Sequence, residues 1–203
     1  MAGAAMNKAR ILLIPLLGVA LALGGCGRGG DAAAPPLAGA TLGGPFTLTD
    51  QDGRSRTDTA FLGKYRLMYF GYTYCPDVCP TSLQTLMKGV HLLASRAPAT
   101  AAKVQPIFVT VDPERDTPAV MKSYVGAFGP ELIGLTGSSA QIAAVAKRYA
   151  VFYQKRAEKG SSDYLVDHMS QAMLFGPKGE PIALVPQDGT PEQVADELAK
   201  WVR

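Results

Sequence analysis

The sequence predicts an α/β domain with a central mixed sheet and helices on both faces, and three observations carry that prediction. From Pro45 to the C-terminus, short β-rich runs alternate with amphipathic helical runs, the rhythm of parallel strands joined by crossover helices. Arg66–Tyr72 is almost continuously apolar, as a central strand covered on both faces must be. Ala172–Phe175 and Ile182–Val185 flank Gly176-Pro177-Lys178-Gly179, a hairpin pattern that adds antiparallel edge strands. The 203 residues, 47% of them hydrophobic, suffice for one such domain with an appendage. Twenty basic against 17 acidic residues leave no charge stripe for a nucleic acid. Three cysteines are too few for a disulfide-stapled miniprotein, and no apolar run supports a multi-span membrane protein.

Taken in order, residues 1–25 read as an export leader. Lys8 and Arg10 precede an apolar run, Ile11–Leu23, broken only by Pro15 and Gly18. The run is shorter than the roughly 17–25 residues of a bilayer span and suits the apolar stretch of a signal peptide. It ends in Leu23-Gly24-Gly25-Cys26, which resembles a bacterial lipobox, with Cys26 receiving lipid and becoming the new N-terminus. An ordinary signal peptide beside a chance cysteine, or an uncleaved anchor, are the alternatives. On the lipobox reading 178 residues remain and the formal charge falls from +3 to +1. The domain then works on the periplasmic side of a bacterial envelope, lipid-anchored to the inner membrane, where paired thiols can be oxidised. Residues 26–45, including Gly27–Pro36, have no apolar period and read as a flexible tether; the folded domain is 46–203.

Within the domain, Phe46–Thr49 is a short strand closed by the turn Asp50-Gln51-Asp52-Gly53. The strand at 66–72 is followed by Leu83, Leu86, Met87, Val90 and Leu93 at helical spacing, then by the strand Pro106–Val111. A helix runs from Thr117, with Pro118 in its first turn, to Phe128. Leu132–Leu135 is a strand and Ser139–Tyr149 a helix with Ile142, Val145 and Ala146 on one face. Val151–Gln154 is a strand, and Lys155–Ser162 is a polar loop expected to be mobile. After the late hairpin, Pro191–Val202 closes the chain as a helix.

Chemistry concentrates at Cys75-Pro76-Asp77-Val78-Cys79-Pro80, between a strand and the next helix, where α/β sheets place their sites. Pro80 would clash with the carbonyl of residue 76 in a continuous helix and favours a first-turn position. Cys79 is therefore expected as the N-cap, with Cys75–Val78 looping over the helix end. There the helix dipole and free backbone N–H groups favour thiolate. Such a pair suits a soft metal ion or a reversible disulfide; a static disulfide or two buried thiols is the bland alternative, although so short a loop gains little from closure. His91 lies on the helix, on the order of 15 Å beyond Pro80 at about 1.5 Å per residue, and is expected in a solvated or half-buried role. His168, just before the strand at 172–175, is where a parallel sheet can bring it beside the cysteines. Two thiolates and an imidazole suit copper or zinc rather than magnesium or calcium, and a structural zinc site would want a fourth protein ligand. Asp77, Asp167, Met169 or water remain open as an extra donor, while Met169 and Met173 are expected as rim or core residues.

Gly71-Tyr72-Thr73-Tyr74-Cys75-Pro76-Asp77-Val78-Cys79-Pro80, Val111-Asp112-Pro113-Glu114-Arg115-Asp116-Thr117-Pro118, Leu135-Thr136-Gly137 and Tyr164-Leu165-Val166-Asp167-His168 together resemble the Sco/SenC family, from about Phe46 to the C-terminus. The resemblance implies a thioredoxin-like fold with inserted elements. It also implies one copper ion, Cu(I) or Cu(II), held by Cys75, Cys79 and His168. Family members assist assembly of the dinuclear copper centre in subunit II of cytochrome c oxidase, delivering copper, reducing cysteines, or both. Other copper chaperones and periplasmic thiol–disulfide proteins are further partners on this reading. Tyr74 and Met169 depart from common family choices without touching the implied ligand set.

Two readings of different class follow: a copper metallochaperone without turnover, and a thiol–disulfide oxidoreductase using Cys75 and Cys79. Thioredoxin-type reductases place a cis-proline opposite the dithiol, whereas here no proline stands between Pro130 and Pro177 and His168 occupies that neighbourhood, which favours metal. A peroxidase would require Thr73 and Arg115 to serve a single peroxidatic cysteine, and the pair fits this poorly. With a charge near +1, docking should depend on a local surface, for which Tyr72, Tyr74 and Val78 are the expected rim contacts.

Overall fold

The computed structural model describes residues 1–3, 34–157 and 164–203. The leader, Cys26 and the end of the expected loop at Lys155–Ser162 fall outside them, apart from the first three residues and the loop's start. Among the described residues no helix is long and apolar enough to cross a membrane.

The domain is built on seven strands in the order β2-β1-β5-β4-β3-β8-β9. The strands are β1 (Thr47–Asp50), β2 (Ser55–Thr57), β3 (Tyr65–Gly71), β4 (Val104–Thr110), β5 (Ile133–Thr136), β8 (Ala172–Phe175) and β9 (Pro181–Val185). β3, β4 and β5 are parallel, and β8–β9 and β1–β2 extend the sheet antiparallel at either end. All seven residues of β3 are buried, as its apolar run requires. Their alternation serves two layers. On one face Gly71 lies against Cys79 of α1 (Val78–Arg96) and Phe108, whose ring packs on Tyr124 of α3 (Pro118–Gly126). On the other, Phe70 packs on Tyr149, which ends α4 (Ser139–Arg148). Leu83, Leu86, Met87, Val90 and Leu93 form the buried stripe of α1. This helix approaches α5 (Pro191–Trp201) so closely that a side chain on Gly89 would strike Val194. Short α2 (Pro98–Ala101) leads into β4. The result is the thioredoxin-like arrangement the sequence resemblance implies.

Three differences from the sequence reading matter. Asp77, not Cys79, is the N-cap of α1, so Cys79 and Pro80 sit inside the first turn. Pro80 is tolerated because the helix's first N–H groups lack intrahelical partners anyway and residue 76, whose carbonyl its ring would strike, is not helical. Secondly, the strand expected at Val151–Gln154 starts at Tyr153 and runs on as β6 (Tyr153–Ala157), taking in the start of the expected loop and lying antiparallel to its partner rather than in the main sheet. Thirdly, it pairs antiparallel with β7 (Tyr164–His168), giving a separate two-stranded sheet that joins Tyr153 to His168. β2 and a 3-10 turn at Asp58–Phe61 were likewise not legible in the sequence.

Candidate metal centre

Three elements deliver three donors. β3 ends at Gly71, and Cys75 follows in a short turn in which its N–H donates to Tyr72 O at 3.3 Å. α1 brings Cys79, fully buried, into its first turn. β7 brings His168 as its last residue. The potential ligand atoms of Cys75, Cys79 and His168 all lie within 4.8 Å of one another, and no carboxylate among the described residues shares that cluster. Cys79 Sγ is 3.2 Å from His168 Nε2, and Cys79 N–H points at Cys75 Sγ at 3.5 Å. Both cysteines are free thiols.

The imidazole tautomer follows from its other nitrogen. His168 Nδ1 lies 3.0 Å from Met169 O; a carbonyl only accepts, so Nδ1 carries the proton and the Nε2 lone pair faces the sulfurs. The two thiols share one proton. The Cys79 thiol donating to Cys75 is the largest cause holding Cys75 down at about 3; burial opposes it, and the N–H groups of Asp77 and Cys79 assist. Cys79 moves the opposite way, pushed up by Cys75 first and by burial second. The reduced pair is thus a half-buried thiolate at Cys75 beside a buried thiol at Cys79.

The sulfurs have room because Gly71 has no side chain: a Cβ there would lie 2.7 Å from Cys79 Sγ. The loop that presents Cys75 is pinned from β4's end. Fully buried Asp116 accepts from Thr73 N–H at 3.0 Å, Thr73 Oγ1 at 2.6 Å and Thr110 Oγ1 at 2.5 Å, while its carbonyl accepts from Thr136 Oγ1 at 2.8 Å. Sequence reasoning missed this latch, although Asp116 lies in one of the motifs carrying the family resemblance. Thr73 Oγ1 donates to Asp116 and Arg115 Nε to Asp112.

A cavity of about 310 Å³ opens beside the centre, lined by Cys75, Pro76, Asp77, Val78, Asp167 and His168 among others. Asp77 and Asp167 border it without joining the donor cluster, and Asp167 pairs with Arg156 at 3.2 Å. Met173 is buried in the core and Met169 is 41% exposed, core and rim as expected. His91 sits away from the cluster, exposed and bonded to Glu131. Tyr74 (53% exposed) and Val78 (42%) lie on the rim, but Tyr72 does not. It is buried, its hydroxyl accepting from Val166 N–H at 3.2 Å, because a phenol beneath the hairpin satisfies a backbone donor that would otherwise be buried unpaired.

Comparison with known proteins agrees with this geometry. The SCO1/SenC family profile matches residues 34–203. The chain is 39% identical over 162 residues to the mitochondrial SCO1 homolog of Homo sapiens, covering 80% of this chain and 53% of that protein. It is 42% identical over 161 residues to protein SenC of Rhodobacter capsulatus, covering 79% and 71%. The match spans about half the length of the mitochondrial relatives, from 46% to 62%. Among solved structures, Bradyrhizobium japonicum ScoI with copper bound is similar with a TM-score of 0.71 at 42% identity, covering 79% of this chain and 99% of that one. Arabidopsis thaliana ScoI with copper bound gives 0.73 at 38% identity, covering 78% and 97%. With its folded region matched throughout and with relatives well above 30% identity, this chain belongs to the SCO1/SenC family.

Proposed function

We propose that this chain is a membrane-tethered copper metallochaperone. It binds one copper ion through Cys75, Cys79 and His168 and passes it on during assembly of the dinuclear copper site in subunit II of cytochrome c oxidase. The observation that carries the reading is the convergence of two thiols and a bare imidazole nitrogen within 4.8 Å. That donor set is soft enough for copper, and it is one protein ligand short of a structural zinc site. Copper-bound relatives of the same fold support it.

A three-donor site with half-buried Cys75 beside an open cavity leaves an approach for a recipient's ligands, as a donor of cargo needs. Tyr74, Val78, Phe152 and Met169 are all exposed. The first two flank the cysteine loop, and Met169, beside His168, bonds through its N–H to Phe152 O. They offer a local apolar rim for docking where net charge gives little steering. The leader at 1–25 would direct export and be removed; lipidated Cys26 and the tether at 26–45, whose far end is bonded to the domain by Leu37 N–H to Ile182 O and Gly43 N–H to Arg148 O, would then hold the domain at the periplasmic face of the inner membrane. Its other partners are copper chaperones and periplasmic thiol–disulfide proteins; nucleic acid is not one. The test is copper binding by the reduced, anaerobic full chain beside its His168→Ala variant. One tightly held copper per chain, weakened by losing His168, is expected; binding indifferent to His168 contradicts the reading.

One observation favours a second activity, thiol–disulfide exchange: Cys75 is half-buried beside the open cavity, with buried Cys79 behind it and the Cys79 N–H 3.5 Å from Cys75 Sγ. Cys75 Sγ would attack a partner disulfide and release one partner thiolate. Cys79, losing its proton, would then attack Cys75 Sγ and release the second. Two electrons pass to the partner and a Cys75–Cys79 disulfide remains. His168→Ala separates the activities, since exchange survives it and His168-dependent copper binding does not.

A further inference from the structure

β6 and β7 have no backbone ladder to the seven-stranded sheet. His168, at the end of β7, is therefore held against the cysteines by side-chain contacts and by single bonds such as Val166 N–H to Tyr72. Several of these contacts converge on Arg115. Tyr164, which opens β7, donates its hydroxyl to Asp112 Oδ1 at 2.8 Å. Asp112 is fully buried, and its Oδ2 accepts from Arg115 Nε. The guanidinium carbon of Arg115 then lies 3.9 Å from the ring centroid of Tyr164, 4.9 Å from that of Tyr74 and 5.7 Å from that of Tyr72. Its Nη2 is buried and has no acceptor among the described residues. Ring faces stand where an acceptor would be, and a cation within about 6 Å of such faces is attracted by their quadrupoles, most strongly out of water.

The three rings belong to the pieces that must meet. Tyr74 precedes Cys75. Tyr72 packs edge-on against His168 with centroids 5.7 Å apart. Tyr164 begins the strand that ends in His168, and Tyr164, Val166 and His168 alternate onto the inward face of that strand. Lys155 of β6 also lies over Tyr164, at 4.6 Å, and pairs with Glu114 at 2.6 Å. Loss of Arg115 would loosen the hairpin rather than free it.

We propose that Arg115, backed by Asp112, is a positioning residue for the metal centre. It clasps Tyr164 of the histidine hairpin to Tyr74 of the cysteine loop and so sets His168 Nε2 against Cys79 Sγ. For its ligand this rests on the copper reading above, but the clasp itself can be measured in the metal-free protein.

The experiment uses the full chain carrying Arg115→Met and, separately, Tyr164→Phe, which removes only the phenol-to-carboxylate bond and tests the clasp even if Arg115→Met fails to fold. In the metal-free protein, amide exchange at Val166 should accelerate about tenfold or more while the amides of β3 and β4 keep their protection, as local opening requires. Copper affinity, measured by competition with a chelator, should fall about 10- to 100-fold with Arg115→Met, the usual cost of losing a group that orients a ligand. It should fall less with Tyr164→Phe. In a His168→Ala background the same substitutions should weaken copper no further, because their effect runs through His168. Unchanged exchange at Val166 would overturn the clasp. So would an affinity loss just as large without His168, which would place the effect in the cysteine loop or the fold. If the unsubstituted chain binds no copper through His168, the copper reading fails while the exchange data still judge the clasp.

Discussion

Gly71→Ala probes the centre from behind. Gly71 closes β3 opposite Thr110 of β4, and its φ is not in the left-handed region, so an alanine is acceptable to the backbone. The obstacle is space. The added Cβ would lie 2.7 Å from Cys79 Sγ, 3.0 Å from Phe108 Cε2 and 3.4 Å from Tyr69 Cε1. Ordinary contacts between heavy atoms are about 3.5–4.0 Å, so the sulfur must retreat by about 1 Å. Both neighbours are fully buried and Cys79 is fixed in the first turn of α1, which leaves little room to yield. Overpacking of this kind costs about 1–3 kcal/mol, or a fall in Tm of roughly 2–12 °C for a domain of this size. The sulfur would also leave its 3.2 Å approach to His168, so copper affinity should fall by more than about tenfold, the usual cost of a disturbed ligand orientation. Calorimetry of the metal-free protein and chelator competition read the two effects. Wild-type values for both would refute the argument that the missing side chain makes room for the sulfur.

Three further outcomes are expected. Asp116→Ala leaves Thr73 N–H and Thr110 Oγ1 without their buried acceptor; a cost of about 3 kcal/mol, read as a Tm lower by roughly 6–12 °C, is expected, and no change would mean the latch is dispensable. In the metal-free reduced protein, alkylation of Cys75 should proceed at pH 5 nearly as fast as at pH 8, and in Cys79→Ala its inflection should move up toward the ordinary thiol range, since the Cys79 thiol is the largest cause of the depression; identical pH profiles would contradict that cause. At Asp50, burial raises the pKa but is outweighed by the bonds from Arg56 and from the N–H groups of Arg54 and Asp52, so the folded value lies below the ordinary one. Its contribution is therefore present above the ordinary carboxylate pKa and lost as pH falls through the folded value. Asp50→Asn should be less stable than wild type at pH 7, the gap closing below about pH 4; a gap independent of pH would contradict this.

What could be read from the sequence was what has a period or a punctuation mark. β3 announced itself as an apolar run, α1 by a five-residue stripe, α3 and α5 by a proline in the first turn. The ligands were legible through residue chemistry and family resemblance: Cys75 and Cys79 by their place between strand and helix, His168 by the company it keeps. The hairpin that carries His168 was not. Tyr-Leu-Val-Asp-His does alternate, but the middle of β6 is Gln154-Lys155-Arg156, the two strands' partners are each other rather than the main sheet, and β6 is mostly exposed. Its inward face is fixed by Tyr72, Asp112 and Arg115, contacts between residues dozens of positions apart. Tyr72 was misplaced on the rim for the same reason, since nothing local reveals that a tyrosine beside a cysteine loop lies under a distant strand. The helix start was misplaced by two residues because Pro80 restricts only what precedes it, and three residues of the first turn can lack helical hydrogen bonds without penalty.

Whether Cys75, Cys79 and His168 form one copper site is best decided by X-ray absorption at the copper edge of the reduced, copper-loaded full chain. Two sulfur and one nitrogen scatterers are expected around each copper, with the nitrogen signal absent from His168→Ala. A sulfur-only shell, or copper–copper scattering from a cluster bridging two chains, would contradict that site.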